Sequence, residues 1–111
     1  MEYLLLICSD SEPDTEPERD GEIQAWVAEG KERGIGKTGD RLRPPEDATT
    51  VRVRNGELLV TDGPFAETKE WITGFDIIEC TDLDQAIDYV SRHPMARAGR
   101  IEIRPFWPLG L

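Results

Sequence analysis

Apolar positions along this chain fall into three patterns, and each predicts a different element. Tyr3-Leu4-Leu5-Leu6-Ile7-Cys8 is apolar without a break. A strand exposed on one face alternates, so an unbroken run predicts a strand covered on both faces. Ile23, Trp26, Val27 and Gly30 recur at i, i+3, i+4 and i+7, the stripe of an amphipathic helix. Lys31, Arg33 and Gly34 supply its stop. Ahead of it, Thr15 and Glu18 have capping-box spacing and Pro17 suits a first turn, so a helix is predicted over Glu16 to Arg33. Leu83, Ala86, Ile87 and Val90 repeat the stripe behind Thr81 as cap, and Pro94 ends that helix. Alternation predicts strands elsewhere. Val51 and Val53 share one face, with Arg52 and Arg54 on the other, and Asn55-Gly56 joins this run to Glu57–Thr61 as a type I′ hairpin. Further strands are predicted at Gly74–Cys80 and at Gly99–Phe106, where Ile101 and Ile103 oppose Glu102 and Arg104. Ile35 to Leu42 reads as a strand or an irregular crossing, because Gly36 and Gly39 weaken strand character.

The resulting order is β-α-β, a hairpin, then β-α-β. This predicts an α+β fold: a ferredoxin-like split βαβ arrangement with an inserted β-hairpin, helices on one face of a mainly antiparallel sheet. One layer of helices covers one face only. The run at Tyr3–Cys8 therefore needs a second cover, and a partner subunit is the economical one. In this arrangement the strands carrying Cys8 and Cys80 are expected to be adjacent and parallel, which leaves open a pair of thiols in reach of each other or two separate core cysteines. The short apolar tail, Trp107 to Leu111, is expected to pack on a neighbour.

With 111 residues the chain reads as a single domain over 1–111. Its 23 acids against 13 bases give a net charge of −10, which disfavours direct nucleic-acid contact and an anionic membrane surface. Two distant cysteines and one histidine offer no metal-ligand spacing. Neither a secretory leader nor a transmembrane run is expected, and a reducing cytoplasm is the expected compartment. Gly34-Ile35-Gly36 lacks the third glycine and the preceding strand of a dinucleotide loop, and no metal or cofactor is expected.

Chemistry concentrates at Asp62-Gly63-Pro64-Phe65-Ala66-Glu67-Thr68-Lys69-Glu70, a Gly-Pro corner between two strands with four charged side chains in nine residues. Gly63 accepts almost any backbone conformation and Pro64 fixes its own φ, so the corner is rigid, with Phe65 as its apolar anchor. Asp62 reads either as a general base or as the Asx residue of a turn. Glu67 and Lys69 either position a ligand or pair within their own loop. His93 either moves a proton or, ending a helix, meets the dipole's negative end as a cation. Arg104 either holds a carboxylate by a bidentate fork or pairs with Glu102 or Asp76. Trp26, Phe75 and Phe106 read as core and interface aromatics or as a binding cage.

Asp62-Gly63-Pro64-Phe65, followed by Glu67, Lys69 and Glu70, resembles the namesake motif of the DGPF-domain branch of the YCII-related proteins. Tyr3-Leu4-Leu5-Leu6, Thr49-Thr50-Val51-Arg52, Leu83-Asp84-Gln85-Ala86 and His93-Pro94 through Glu102-Ile103-Arg104-Pro105 extend the resemblance over essentially the whole chain. It implies a homodimer with two ferredoxin-like sheets facing each other, a dimeric α/β barrel. It also implies activity proposed from a His-Asp pair whose histidine lies on the first helix. No histidine stands on that helix here, so the pair is not carried over. Some relatives are joined to, or encoded beside, sigma-factor-like transcription regulators. Two functions follow as expectations. One is a homodimer binding a small organic molecule, with cofactor-independent acid–base chemistry from Asp62 and His93 and ligand contacts from Gly63, Pro64, Phe65, Glu67, Lys69 and Arg104. The other is a non-catalytic dimerisation or sensory module associated with a regulator.

Overall fold

The apolar run at the start of the chain lies inside a four-stranded sheet. The computed structural model describes residues 1–14, 19–63 and 71–111. β1 (Glu2–Cys8) is followed by α1 (Glu22–Glu32), β2 (Gly36–Arg41), a 3-10 turn at Pro45–Asp47, β3 (Thr49–Arg54), β4 (Glu57–Asp62), β5 (Ile72–Glu79), α2 (Leu83–Ser91), α3 (Met95–Ala98) and β6 (Arg100–Pro105). The sheet order is β2-β5-β1-β6, every neighbouring pair antiparallel. This mixed α+β architecture is consistent with a ferredoxin-like fold.

The two faces of β1 have different surroundings. Tyr3, Leu5 and Ile7 are buried in a core shared with Trp26, Ile78, Ala86, Tyr89 and Val90. Leu4, Leu6 and Cys8 point the other way and are only half-buried. Leu4 pairs with Ile77 and Leu6 with Phe75, so four half-buried apolar side chains form a stripe on the open face. β6 flanks that stripe with Arg104 opposite Leu4 and Glu102 opposite Leu6.

Asn55 and Gly56 both have positive φ, 52° and 76°, as a type I′ turn requires, and they join β3 to β4. This pair forms its own two-stranded sheet. Val51 opposes Val60 and Val53 opposes Leu58, giving one apolar face whose four side chains are 56–64% exposed. The radius of gyration is 16.3 Å, against about 13 Å for a compact chain of this size. A thin two-layer body, with one dimension of 19 Å, and a hairpin outside its sheet account for the excess.

Several expectations are corrected. α1 starts at Glu22, not Glu16, because Gly21 enters its N-cap in the left-handed region with φ of 79°. Thr15, Pro17 and Glu18, on which the capping box rested, lie outside the described residues. The cap of α2 is Asp82, whose carboxylate accepts the Gln85 N–H at 2.8 Å; the Gln85 side chain in turn accepts the Thr81 N–H. Leu83 and Ile87 are 49% exposed, and Tyr89 joins Ala86 and Val90 in the core in their place. Residues Arg97–Gly99 do not simply turn: Arg97 and Ala98 close the short α3. Cys8 and Cys80 ride adjacent strands that run antiparallel, so Cys8 meets Ile72 at one end while Glu79 meets Glu2 at the other. Their separation is about 20 Å along the strands, and both are free thiols. The tail is exposed, with Trp107 at 94% and Leu109 at 87%.

Candidate functional site

Asp62 ends β4 opposite Thr49 and is exposed. Gly63 follows with φ of 92°; its N–H donates to the Ala48 carbonyl and its carbonyl accepts the Thr50 hydroxyl at 2.8 Å. These bonds fix where the corner leaves the hairpin. Pro64, Phe65, Glu67 and Lys69 lie outside the described residues.

His93 is 4% exposed, behind the helices. Its Nδ1 accepts the Met95 N–H at 2.9 Å, and its ring stands edge-on to Trp26 with centroids 4.6 Å apart. Burial lowers its pKa to about 4, so near neutral pH it is an uncharged imidazole with its proton on Nε2. It is not the cation expected at the helix end. Arg104 lies on the open sheet face and donates to Glu102 at 3.1 Å, an exposed pair. Among the described residues, no hydrogen bond or ion pair links Asp62, His93 and Arg104. The structure keeps them on the hairpin, behind the helices and on the open face.

A concavity among the described residues lies elsewhere, on the helix side at the β2 edge. It has a volume of about 270 Å³ and is walled by α1, α2, β2 and β5. That is just below the usual range for ligand sites, about 300–1,000 Å³, and suits a small metabolite. Asp76 of β5 lines it, side by side with Gly39 of β2 in the antiparallel register. A Cβ at Gly39 would overlap the Asp76 carboxylate, so the glycine makes room for that side chain. The Asp76 carboxyl has no hydrogen bond or ion pair among the described residues. Burial without a compensating partner raises its pKa from 3.8 to about 6. A carboxyl poised there can take or give a proton near neutral pH, the tuning that general acid–base work requires.

The rest of the pocket's lining combines apolar and basic residues. Trp26, Ile78 and Tyr89 supply flat and branched apolar surface, and the exposed Lys31 and Lys37 also line it. The β2–β5 register slips between Gly36 and Thr38, so Lys37 is the extra residue of a bulge. A bulge bends an edge strand and re-aims its side chain. Sequence reading weighed Asp76 only as a partner for Arg104. The available signal was an acid in an otherwise apolar strand segment, Gly74-Phe75-Asp76-Ile77-Ile78, where alternation turns Asp76 toward the same face as Ile78.

Among the described residues, no group of three or more His, Cys, Asp or Glu is arranged to hold a metal ion, and no helix is long and apolar enough to cross a membrane.

Sheet, helices and pocket together define a small α+β protein with a four-stranded antiparallel sheet, one sheet face that no described helix covers and a carboxyl-bearing pocket beneath its first helix. The chain belongs to the YCII-related family, whose domain model matches residues 1–109. It is 46% identical over 74 residues to an uncharacterised protein of Rhizobium meliloti (strain 1021); the match covers 63% of this chain and 60% of that one.

Proposed function

We propose that this protein is a cytoplasmic homodimer of the DGPF branch that binds a small organic molecule and uses Asp76, without a cofactor, as its acid–base group. The observation that carries the reading is the unpaired Asp76 carboxyl in a pocket of metabolite size, opposite a glycine that makes space for it. The acid–base role that the sequence suggests for Asp62 is assigned to Asp76 in this proposal. His93 serves packing: it is buried, uncharged, and engaged by Met95 and Trp26. A second copy covers the stripe of Leu4, Leu6, Phe75 and Ile77, giving the facing sheets that the resemblance implies. The need to remove that stripe from water supports the pairing.

A thermal-shift screen of metabolites against the protein and against Asp76→Asn tests this. A ligand at 100 times its dissociation constant adds about 2.7 kcal/mol of apparent stability. Ligands that stabilise the parent and lose their effect on the variant are expected. Ligands that stabilise both equally would overturn the role given to Asp76.

A non-catalytic dimerisation or sensory module that reports to a transcription regulator is the second reading. The exposed apolar hairpin face, Val51, Val53, Leu58 and Val60, favours it, because a closed enzyme has no need of such a surface. Turnover abolished by Asp76→Asn with folding intact selects the enzyme. Unaltered partner binding, with no turnover from either form, selects the module.

A further inference from the structure

The pocket's charges identify the class of molecule it takes, an inference that rests on reading the Asp76 pocket as a ligand site. The chain contains three lysines, Lys31, Lys37 and Lys69, and the two that are described both line this pocket. Neither has an ion-pair partner among the described residues. Arg33, Arg43, Arg92, Arg97 and Arg104 each hold a carboxylate within 3.1 Å, while Arg41 and Arg54, away from the pocket, hold none among the described residues. Lys31 stands in the last turn of α1, where a cation also meets the helix dipole. Lys37 stands on an edge strand, at a one-residue bulge, and has no such role.

We infer that the pocket takes a small organic anion, a carboxylate or a phosphate monoester, whose charged head is held by Lys31 and Lys37 and whose uncharged end lies against the Trp26 wall and Asp76. The charges agree with that assignment. Two lysines and one aspartate among the lining residues leave at least one positive charge unmatched, which one anionic head neutralises. A cationic amine, the natural partner of Asp76 alone, would meet two lysines of like charge at the same pocket. Gly36 and Gly39 keep the β2 wall free of side chains on either side of Lys37 and Thr38, leaving width for a flat body.

Four probes that share a ring and differ in charge test this: benzoate, phenyl phosphate, benzamide and benzylamine. Each is titrated into ¹⁵N-labelled protein, with the amides of Lys31 and Gly36–Gly39 as reporters. The expected result is that benzoate or phenyl phosphate moves those amides, with benzamide and benzylamine at least tenfold weaker; the better of the two anions says which head is preferred. The double variant Lys31→Gln/Lys37→Gln is expected to weaken the anion at least tenfold while the protein stays folded, its urea midpoint falling only slightly for the loss of the cation at the end of α1. Benzamide binding as well as benzoate, or benzylamine binding best, overturns the anion assignment and leaves the pocket standing if Asp76→Asn still weakens the probe. Undiminished anion binding by the double variant also overturns it. Silence of these amides toward all four probes at millimolar concentration removes the pocket reading and the inference together.

Discussion

Trp26 and Tyr89 are locked to each other by a reciprocal pair of hydrogen bonds. The Trp26 indole Nε1 donates to the Tyr89 carbonyl at 2.8 Å, and the Tyr89 hydroxyl donates to the Trp26 carbonyl at 2.9 Å. Their rings stack with centroids 4.2 Å apart and planes 17° from parallel. Each ring thus satisfies its one polar handle inside the core, which is what allows a Trp and a Tyr to be buried there. The pair fixes α1 against α2 and forms the pocket's back wall. Around it, Glu29 accepts from Arg33 and Arg92, and Glu22 holds Arg97 by two bonds of 2.8 and 3.0 Å. Those arginines hold both carboxyls below the usual carboxylate range.

Tyr89 meets α1 at Gly30, where an added Cβ would overlap the hydroxyl. Helix propensity alone favours alanine over glycine by about 1 kcal/mol. Overpacking a core contact costs about 1–3 kcal/mol, and losing the buried hydrogen bond adds to that. Gly30→Ala is therefore expected to destabilise the protein, and by more than Tyr89→Phe, which forfeits one bond worth about 1 kcal/mol. Urea unfolding followed by tryptophan fluorescence decides the order.

Asp76 and His93 give opposite pH dependences in overlapping windows. The folded Asp76 pKa is about 6 against an ordinary 3.8, so between those values the native state binds more protons than the unfolded chain and stability falls as pH rises. His93 is held at about 4 against an ordinary 6.5, so the unfolded chain binds more protons and stability rises with pH from 4 to 6.5. Each contribution is at most about 3 kcal/mol, and solvent reaching the half-buried Asp76 reduces its share. The parent protein is expected to be nearly flat between pH 4 and 6 with respect to these two groups. Asp76→Asn should lose stability on acidification through this window. His93→Asn, which keeps an acceptor near the Met95 N–H, should gain it. Urea midpoints at pH 4.5 and 7 read both slopes.

The two glycines of β2 are expected to behave differently. An alanine Cβ at Gly39 would collide with the Asp76 carboxylate and come within 2.7 Å of the Phe75 carbonyl, whereas at Gly36 it meets Gly30 at an ordinary 3.6 Å. Gly39→Ala should drive the carboxyl from its place, lower stability by about 1–3 kcal/mol and abolish the Asp76-dependent ligand shift. Gly36→Ala should leave stability within about 0.5 kcal/mol of the parent. Thermal shift with and without a screened ligand compares them.

The open sheet face carries the assembly prediction. Leu6→Asp places a charge in the middle of the Leu4, Leu6, Phe75 and Ile77 stripe. Sedimentation is expected to give a dimer for the parent and a folded monomer for the variant. A parent that sediments as a folded monomer at micromolar concentration would end the facing-sheet account.

The sequence by itself determined what local forces decide. Asn55-Gly56 set the hairpin because few residue pairs accept two successive positive φ values. The apolar Tyr3–Cys8 run marked a strand, and of the four-residue α1 stripe Trp26 and Gly30 are buried and Ile23 partly so, while Val27 is 39% exposed. Periodicity acts over a few residues and is visible in the chain itself. Only the tertiary structure decided that Asp76 faces Gly39, that Lys31 and Lys37 line one pocket, and that Cys8 and Cys80 end far apart. Those relations depend on strand direction, on the register between segments dozens of residues apart and on a one-residue bulge at Lys37. A single-residue slip turns a side chain to the opposite face, and no local pattern records it.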